Sequence, residues 1–379
     1  MDRIEPGRNR PADEGSPGRA TGWRVLERRH AVRVRPGTIS VPGTRGADGL
    51  EPVEWRDAEA DWQRLARDAD VYSTPEWAAL WWEHHGSGEP VIHVVRRRGR
   101  VVAVLPLYED AGLLRLIGSP HADRHAPPCE DVATAGWALR EIARRRRRLV
   151  LADRLPGEAG WERALGGRCV ARVASPRMRL TTTHAAWLAA QSAATRRDLR
   201  RRERRLVERG TILRRLEAEE AVTTGIDTLL RLHAQRWGAA SNAEPGFTRA
   251  EARLAARQGW LRLWLAEVEG VPVAASLSLR HHGREYLSMT GRDPAWSRWS
   301  VGSVLLHHTI REAFADGVGE YHLLRGDQEY KARYADADDG VVTSLVGAPP
   351  LVWAARAALG AVRRSPQSVR RVVYMGYGL

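Results

Sequence analysis

The sequence predicts an α/β (α+β) protein with two similar halves, each a mixed, largely antiparallel sheet flanked by helices. Three observations carry that expectation. Apolar or alternating segments such as VIHVVRR, VVAVLPLY, LRLWLAEV and PVAASLSLR are joined by glycine turns, the pattern of β-hairpins. Between them lie helix-length segments whose apolar residues recur at helical spacing. The whole order then repeats: Gly99 and Gly270, Gly112 and Gly283, Arg140-Glu141 and Arg311-Glu312, and Arg154 and Arg325 each stand 171 residues apart. A repeated order of helix, strand, tight turn, strand, turn, strand, long loop, helix and strand points to a tandem pair.

The elements follow in turn. Residues 1–49 are rich in Pro, Gly and Arg and lack the apolar middle of a signal peptide, so they predict disorder. Order begins near Pro52. A helix over 74–85 has Thr74 or Ser73 as its cap, Pro75 in its first turn and Gly86 at its end. Turns fall at Arg98-Gly99 and at Asp110-Ala111-Gly112. After the loop HADRHAPPCED come a helix over 134–147 and the strand LVLAD. The second half repeats this with a helix over 226–237, the strands LRLWLAEV, PVAASLSLR and REYLSMTG, the loop RDPAWSRWS, a helix over 301–315 and the strand EYHLL. Between the halves, an Arg-saturated helix carries one thin apolar edge, Leu199, Leu206 and Leu213. The expected divisions are 1–49 disordered, 50–180 first domain, 181–217 connecting helix, 218–347 second domain and 348–379 a basic C-terminal helix or tail, which docks on the body in preference to lying on a membrane surface.

Composition narrows the function. Sixty basic against 46 acidic residues leave a net charge of +14, which favours a polyanionic partner: CoA or nucleotide phosphates, nucleic acid or a membrane surface. The two cysteines, Cys129 and Cys169, form no CxxC or Cys/His ligand spacing. We therefore expect no disulfide framework and no metal, and a reduced, cytoplasmic setting. No apolar run approaches the ~20 residues of a membrane span, so any membrane contact is peripheral. The lack of a helix-turn-helix or an aromatic stacking platform makes plain DNA binding a weak reading.

Among the basic residues there is a single lysine, Lys331, in the run LRGDQEYKARY. In a chain that uses Arg wherever Arg will serve, it marks a place where a compact ammonium with a shiftable pKa is needed. Three segments of the second half carry candidate chemistry. The strand REYLSMTG can splay from its neighbour and free backbone N–H groups that polarise an acyl carbonyl. Next, Arg298-Trp299-Ser300-Val301-Gly302-Ser303 opens a helix; its unpaired amides and dipole suit a diphosphate, Gly302 permits close approach, and Arg298 neutralises charge. In the third, Gly326 ends a strand, Asp327 caps the next turn, Asp327 or Glu329 serves as base, Tyr330 is the acid for a leaving thiolate, and Lys331 binds an acceptor carboxylate or a phosphate. A fourth segment offers His233, Arg236 and Trp237 at one helix end as acceptor-binding residues.

The stretch from Gly270 to Tyr334, and above all the ordered run RGDxxYKxRY, resembles the GNAT-type acetyltransferases of the cellulose-biosynthesis (CelD) class, related to the Fem-type peptidoglycan aminoacyltransferases. PEWAALWWEHHG, LHAQRW and the Arg-rich helix extend the resemblance over about 53–346. It implies tandem GNAT-like domains, an acyl-CoA donor such as acetyl-CoA, and an amine or hydroxyl acceptor in envelope polysaccharide or small-molecule biosynthesis. It places the cofactor loop on Trp299, Ser300, Val301, Gly302 and Ser303 and the thioester-facing strand on Leu287, Ser288 and Met289. Val301 or Ser300 stands where the family's first loop glycine belongs. Two alternatives stay open: an aminoacyl-tRNA donor, with Arg196–Arg209 tracking phosphates, and an inactive GNAT-fold binding scaffold.

Overall fold

The computed structural model describes residues 47–364 apart from 167–168, 239–240 and 242. The disorder expected for 1–49 falls mostly outside them, but its last three residues open a strand. In the first half, β1 (Ala47–Pro52), α1 (Trp55–Ala66) and α2 (Pro75–His85) precede the strands β2 (Pro90–Arg97), β3 (Arg100–Asp110) and β4 (Leu113–Leu116). Then come α3 (Val132–Arg146), β5 (Leu149–Pro156), a short α4 (Trp161–Ala164), β6 (Cys169–Val173) and β7 (Arg177–Arg179). The connector holds α5 (His184–Ala190), α6 (Ala193–Val207) and β8 (Thr211–Arg215). The second half runs α7 (Ala218–Glu220), α8 (Ile226–Trp237), α9 (Pro245–Arg257), β9 (Leu261–Val268), β10 (Val271–His281), β11 (Arg284–Arg292), α10 (Val301–Ala315), β12 (Glu320–His322) and α11 (Glu329–Ala332). It closes with β13 (Val341–Val346) and α12 (Pro349–Arg364).

The tandem order is visible in the backbone. Arg98-Gly99, Ala111-Gly112, Glu269-Gly270 and His282-Gly283 all have positive φ at both positions. These are two-residue turns of the kind that match the right-handed twist of a hairpin. In each half the third hairpin strand then pairs in parallel with the strand after the long helix, β4 with β5 and β11 with β12. The first sheet has the order β1-β2-β3-β4-β5-β13-β6 and the second β7-β12-β11-β10-β9-β8.

Sheet membership crosses the ranges expected from sequence. β13, expected with the second domain, lies between β5 and β6 of the first sheet, whereas β7, expected with the first, edges the second. The "connecting helix" ends in β8, which is also part of the second sheet. The reason is burial. All six residues of β13 are buried, as a central strand covered on both faces requires, and Val352 of α12 packs on Leu345 and Leu151. The helix expected over 74–85 begins at Pro75 under a Thr74 cap. That expected over 134–147 begins at Val132, because Asp131 caps it, its side chain accepting from the Thr134 amide at 2.7 Å.

One apolar core joins the halves: Trp62, Trp77, Trp81, Val94 and Val104 pack in the same cluster as Ile226, Leu229, Leu263, Leu277 and Tyr286. Buried and half-buried polar contacts reinforce the junction. Tyr286 donates to Asp70 at 3.0 Å, Arg124 pairs with Asp70 at 2.9 Å, and Arg325 pairs with Asp123 at 2.5 Å. No helix among the described residues is long and apolar enough to cross a membrane.

Candidate active site

In the second sheet, β11 and β12 pair only over Arg284–Tyr286 and Glu320–His322. Beyond that point they diverge. Leu324 takes a left-handed conformation, φ 56°, and turns the chain away, so the expected strand EYHLL stops at His322. On its other side β11 carries a bulge: Leu277 faces Met289 and Ser278 faces Leu287, leaving Ser288 as the extra residue. A bulge beside a splayed edge re-aims backbone groups that would otherwise sit in a ladder.

A cleft of ≈ 200 Å³ lies between β10, β11 and the start of α10. Seven of the residues singled out in the sequence line it: Arg236, Leu287, Ser300, Val301, Gly302, Ser303 and Tyr330. Ser300 has φ 57°, and Ser303 and Val304 both donate to its carbonyl. The amides of Val301 and Gly302 are left without an acceptor among the described residues, at the positive end of a 15-residue helix. A Cβ on Gly302 would meet only Arg292, at 3.4 Å, so that residue faces open space. Arg292, Ser297 and Thr290, which sequence reasoning missed, complete the wall.

At one part of the cleft, Arg236 donates to Thr290 Oγ1 at 2.7 Å. Burial raises the Tyr330 hydroxyl above its ordinary pKa, while the nearby Arg236 pulls it down. The phenol stays protonated at neutral pH and is a proton donor. His233 lies one helical turn from Arg236 and its Nδ1 bonds the Thr290 carbonyl at 2.9 Å. A carbonyl only accepts, so Nδ1 carries the proton and Nε2 keeps its lone pair. That Nε2 is buried and has no partner among the described residues. Burial, foremost, and the Arg236 charge lower the His233 pKa, against the Thr290 bond, so the ring is a neutral acceptor. Trp237 is 39% exposed and lies under Arg236, whose guanidinium is 4.6 Å from its ring centroid.

The remaining candidates stand elsewhere. Ser288 meets the Tyr72 hydroxyl of the first half, and Met289 packs into the shared core. Arg298 and Trp299 sit just outside the cleft. Asp327 is exposed and does not cap the turn; Gln328 occupies the cap position of α11. Lys331 is 5% exposed and donates to the Leu324 and Arg325 carbonyls at 3.0 and 2.6 Å. Its ammonium faces backbone under the turn, not the cleft. Burial lowers its pKa to about 8, with Asp123 opposing.

The corresponding splay of the first half is filled. Ser119, Arg115 and His125 surround Asp153, all of them buried. Between the halves, His85, His121 and Glu244 place three metal-ligand atoms within 4.8 Å of one another. Trp81, however, donates to His121 Nδ1 at 2.8 Å, which obliges the neutral ring to carry its proton on Nε2, facing Glu244 at 2.9 Å. A metal would need that Nε2 lone pair, so this donor set forms a hydrogen-bonded bridge and does not suit an ion.

Residues 193–332 match the family model described as an acetyltransferase (GNAT) domain. No curated protein matches the chain. Among solved structures, FemX is similar at 11% identity, covering 81% of this chain and 99% of that one with a TM-score of 0.55. The C-terminal domain assigned to a lysylphosphatidylglycerol synthetase of Agrobacterium fabrum is similar at 12% identity, covering 81% and 97%, TM-score 0.54. A conserved protein of unknown function from Bacteroides thetaiotaomicron follows at 10% identity, covering 78% and 98%, TM-score 0.51. At such identities the structures speak to fold alone. The domain match covers the cleft, and the chain therefore carries the domain of an acyltransferase enzyme.

Proposed function

We propose that this chain is an acyl-CoA-dependent N- or O-acyltransferase whose donor lies in the cleft between β11 and α10. One observation carries the reading: a bulged, half-unpaired strand faces a helix start with two free amides and a phenol, and behind its wall a neutral imidazole bonds the Thr290 carbonyl. The donor's diphosphate sits against Val301 and Gly302, with Arg292 of the cleft wall neutralising it. Its thioester runs along Leu287–Met289, where backbone N–H groups polarise the carbonyl. The acceptor amine or hydroxyl attacks that carbonyl directly and the C–S bond breaks. His233 Nε2 receives the acceptor's proton and Tyr330 donates one to the departing thiolate. Asp327, exposed and outside the cleft, has no part in this scheme, and Lys331 acts by holding the turn beneath Tyr330. The CelD-class likeness favours an envelope saccharide or small molecule as acceptor, and a cytoplasmic setting.

Acetyl-CoA at millimolar concentration raises the melting temperature, since a ligand at about 100 times its Kd stabilises the fold by ~2.7 kcal/mol. Tyr330→Phe and His233→Gln each slow thiol release from acetyl-CoA about a hundredfold or more, with little change in its Kd. No thermal shift with acetyl-CoA defeats the reading, and tight, salt-sensitive tRNA binding in its place favours an aminoacyl-tRNA donor.

A further inference from the structure

We propose that Trp299, together with Arg205 of α6, Arg209 of the turn that follows it and Arg298, forms a seat for the 3′-phosphate of CoA beside the cleft. This deepens the donor reading above and rests on it. The guanidinium carbons of Arg209, Arg205 and Arg298 lie 3.2, 4.7 and 5.0 Å from the Trp299 ring centroid. None of the three pairs with a carboxylate among the described residues. Their neighbours on the same helix behave otherwise: Arg201 and Arg202 each reach Asp198 at 2.7 Å. Three like charges gathered on one ring repel one another. The ring's negative face attracts each cation but cancels none of the charge. An anion with several acceptor oxygens would neutralise them, and a planar guanidinium fork suits phosphate.

The position argues for this particular phosphate. Trp299 immediately precedes Ser300, and the free amides that follow face the cleft. α6 is held against that region because Leu206 packs with Val301, Val304, Leu305 and Trp299. Arg205 in the last turn of α6 and Arg209 in the turn beyond it then reach the same ring, and Arg209 also donates to the Arg205 carbonyl at 3.2 Å. The cations gather around one ring instead of running in a row. That geometry fits a compact phosphomonoester better than the spaced phosphodiesters of a polynucleotide.

The full chain and the Arg205→Gln/Arg209→Gln variant are titrated calorimetrically with CoA and with 3′-dephospho-CoA. The wild type binds CoA about tenfold more tightly than dephospho-CoA, a difference of ~1.4 kcal/mol. The double variant binds CoA at the dephospho-CoA level and binds dephospho-CoA unchanged, which also shows an intact fold. Equal wild-type affinities, or a preference that survives in the variant, overturn the phosphate seat and leave the donor reading standing. If neither compound binds the wild type, both proposals fail, and retention of tRNA in their place assigns the cations to RNA.

Discussion

At the scale of single residues, the lone lysine marks a position where shape matters, although not for the reason its neighbours suggest. Leu324 holds a left-handed φ of 56° without being glycine, a conformation that costs about 1–3 kcal/mol. Lys331 Nζ binds the carbonyl of Leu324 itself and that of Arg325, the next residue. A guanidinium is too broad for a site where one small donor must meet two adjacent carbonyls. Lys331→Met leaves both without their partner and lowers stability by about 2–3 kcal/mol, read as a fall in melting temperature with no ligand present. Lys331→Arg falls in the same direction. Should Lys331→Met melt like the wild type yet lose thiol release, the ammonium acts on substrate and the structural role is wrong. Nothing in the sequence betrays the twist at Leu324, so the orientation of Lys331 was out of reach while its singularity was not.

At the scale of elements, the start of α10 sets function against stability. Gly302 is the second residue of α10 and has no positive φ, and among the described residues only Arg292 comes near its missing Cβ. Alanine there stabilises the fold by about 0.4–1 kcal/mol, by narrowing the unfolded chain, while placing a methyl where the diphosphate approaches. Gly302→Ala therefore melts higher than the wild type and binds acetyl-CoA about tenfold more weakly. A variant that gains stability with undiminished affinity puts the phosphates elsewhere. Elements of this kind were legible: the hairpins were marked by glycines that need positive φ, and α8 and α10 by apolar spacing and flanking turns. The strands β7, β8 and β13 were not. Their sheets are chosen by long-range pairing and burial, and RMR or VVTSLV suits either sheet equally well. Helix α9 was missed too, and with it Glu251.

At the scale of the whole molecule, the two halves share a core, and Glu251 is buried inside that seam. It is 7% exposed, and Trp77 of α2 donates to it at 2.8 Å. Burial, with the negative Asp123 adding to it and the Trp77 bond opposing, pushes its pKa from 4.5 up to about 7. The folded chain thus holds a proton that the unfolded chain releases at lower pH. The stabilisation from that proton is complete below about pH 4.5, declines as pH rises, and is gone above about pH 7, when a bare carboxylate is trapped between the halves. The full swing is of order 3 kcal/mol. Glutamine keeps an acceptor for Trp77 and cannot ionise. Glu251→Gln should therefore melt higher than the wild type at about pH 8 and lose this part of the decline in melting temperature between about pH 5 and 8. Equal slopes for the two proteins across that window would mean that Glu251 ionises freely, and that the seam between the halves admits water.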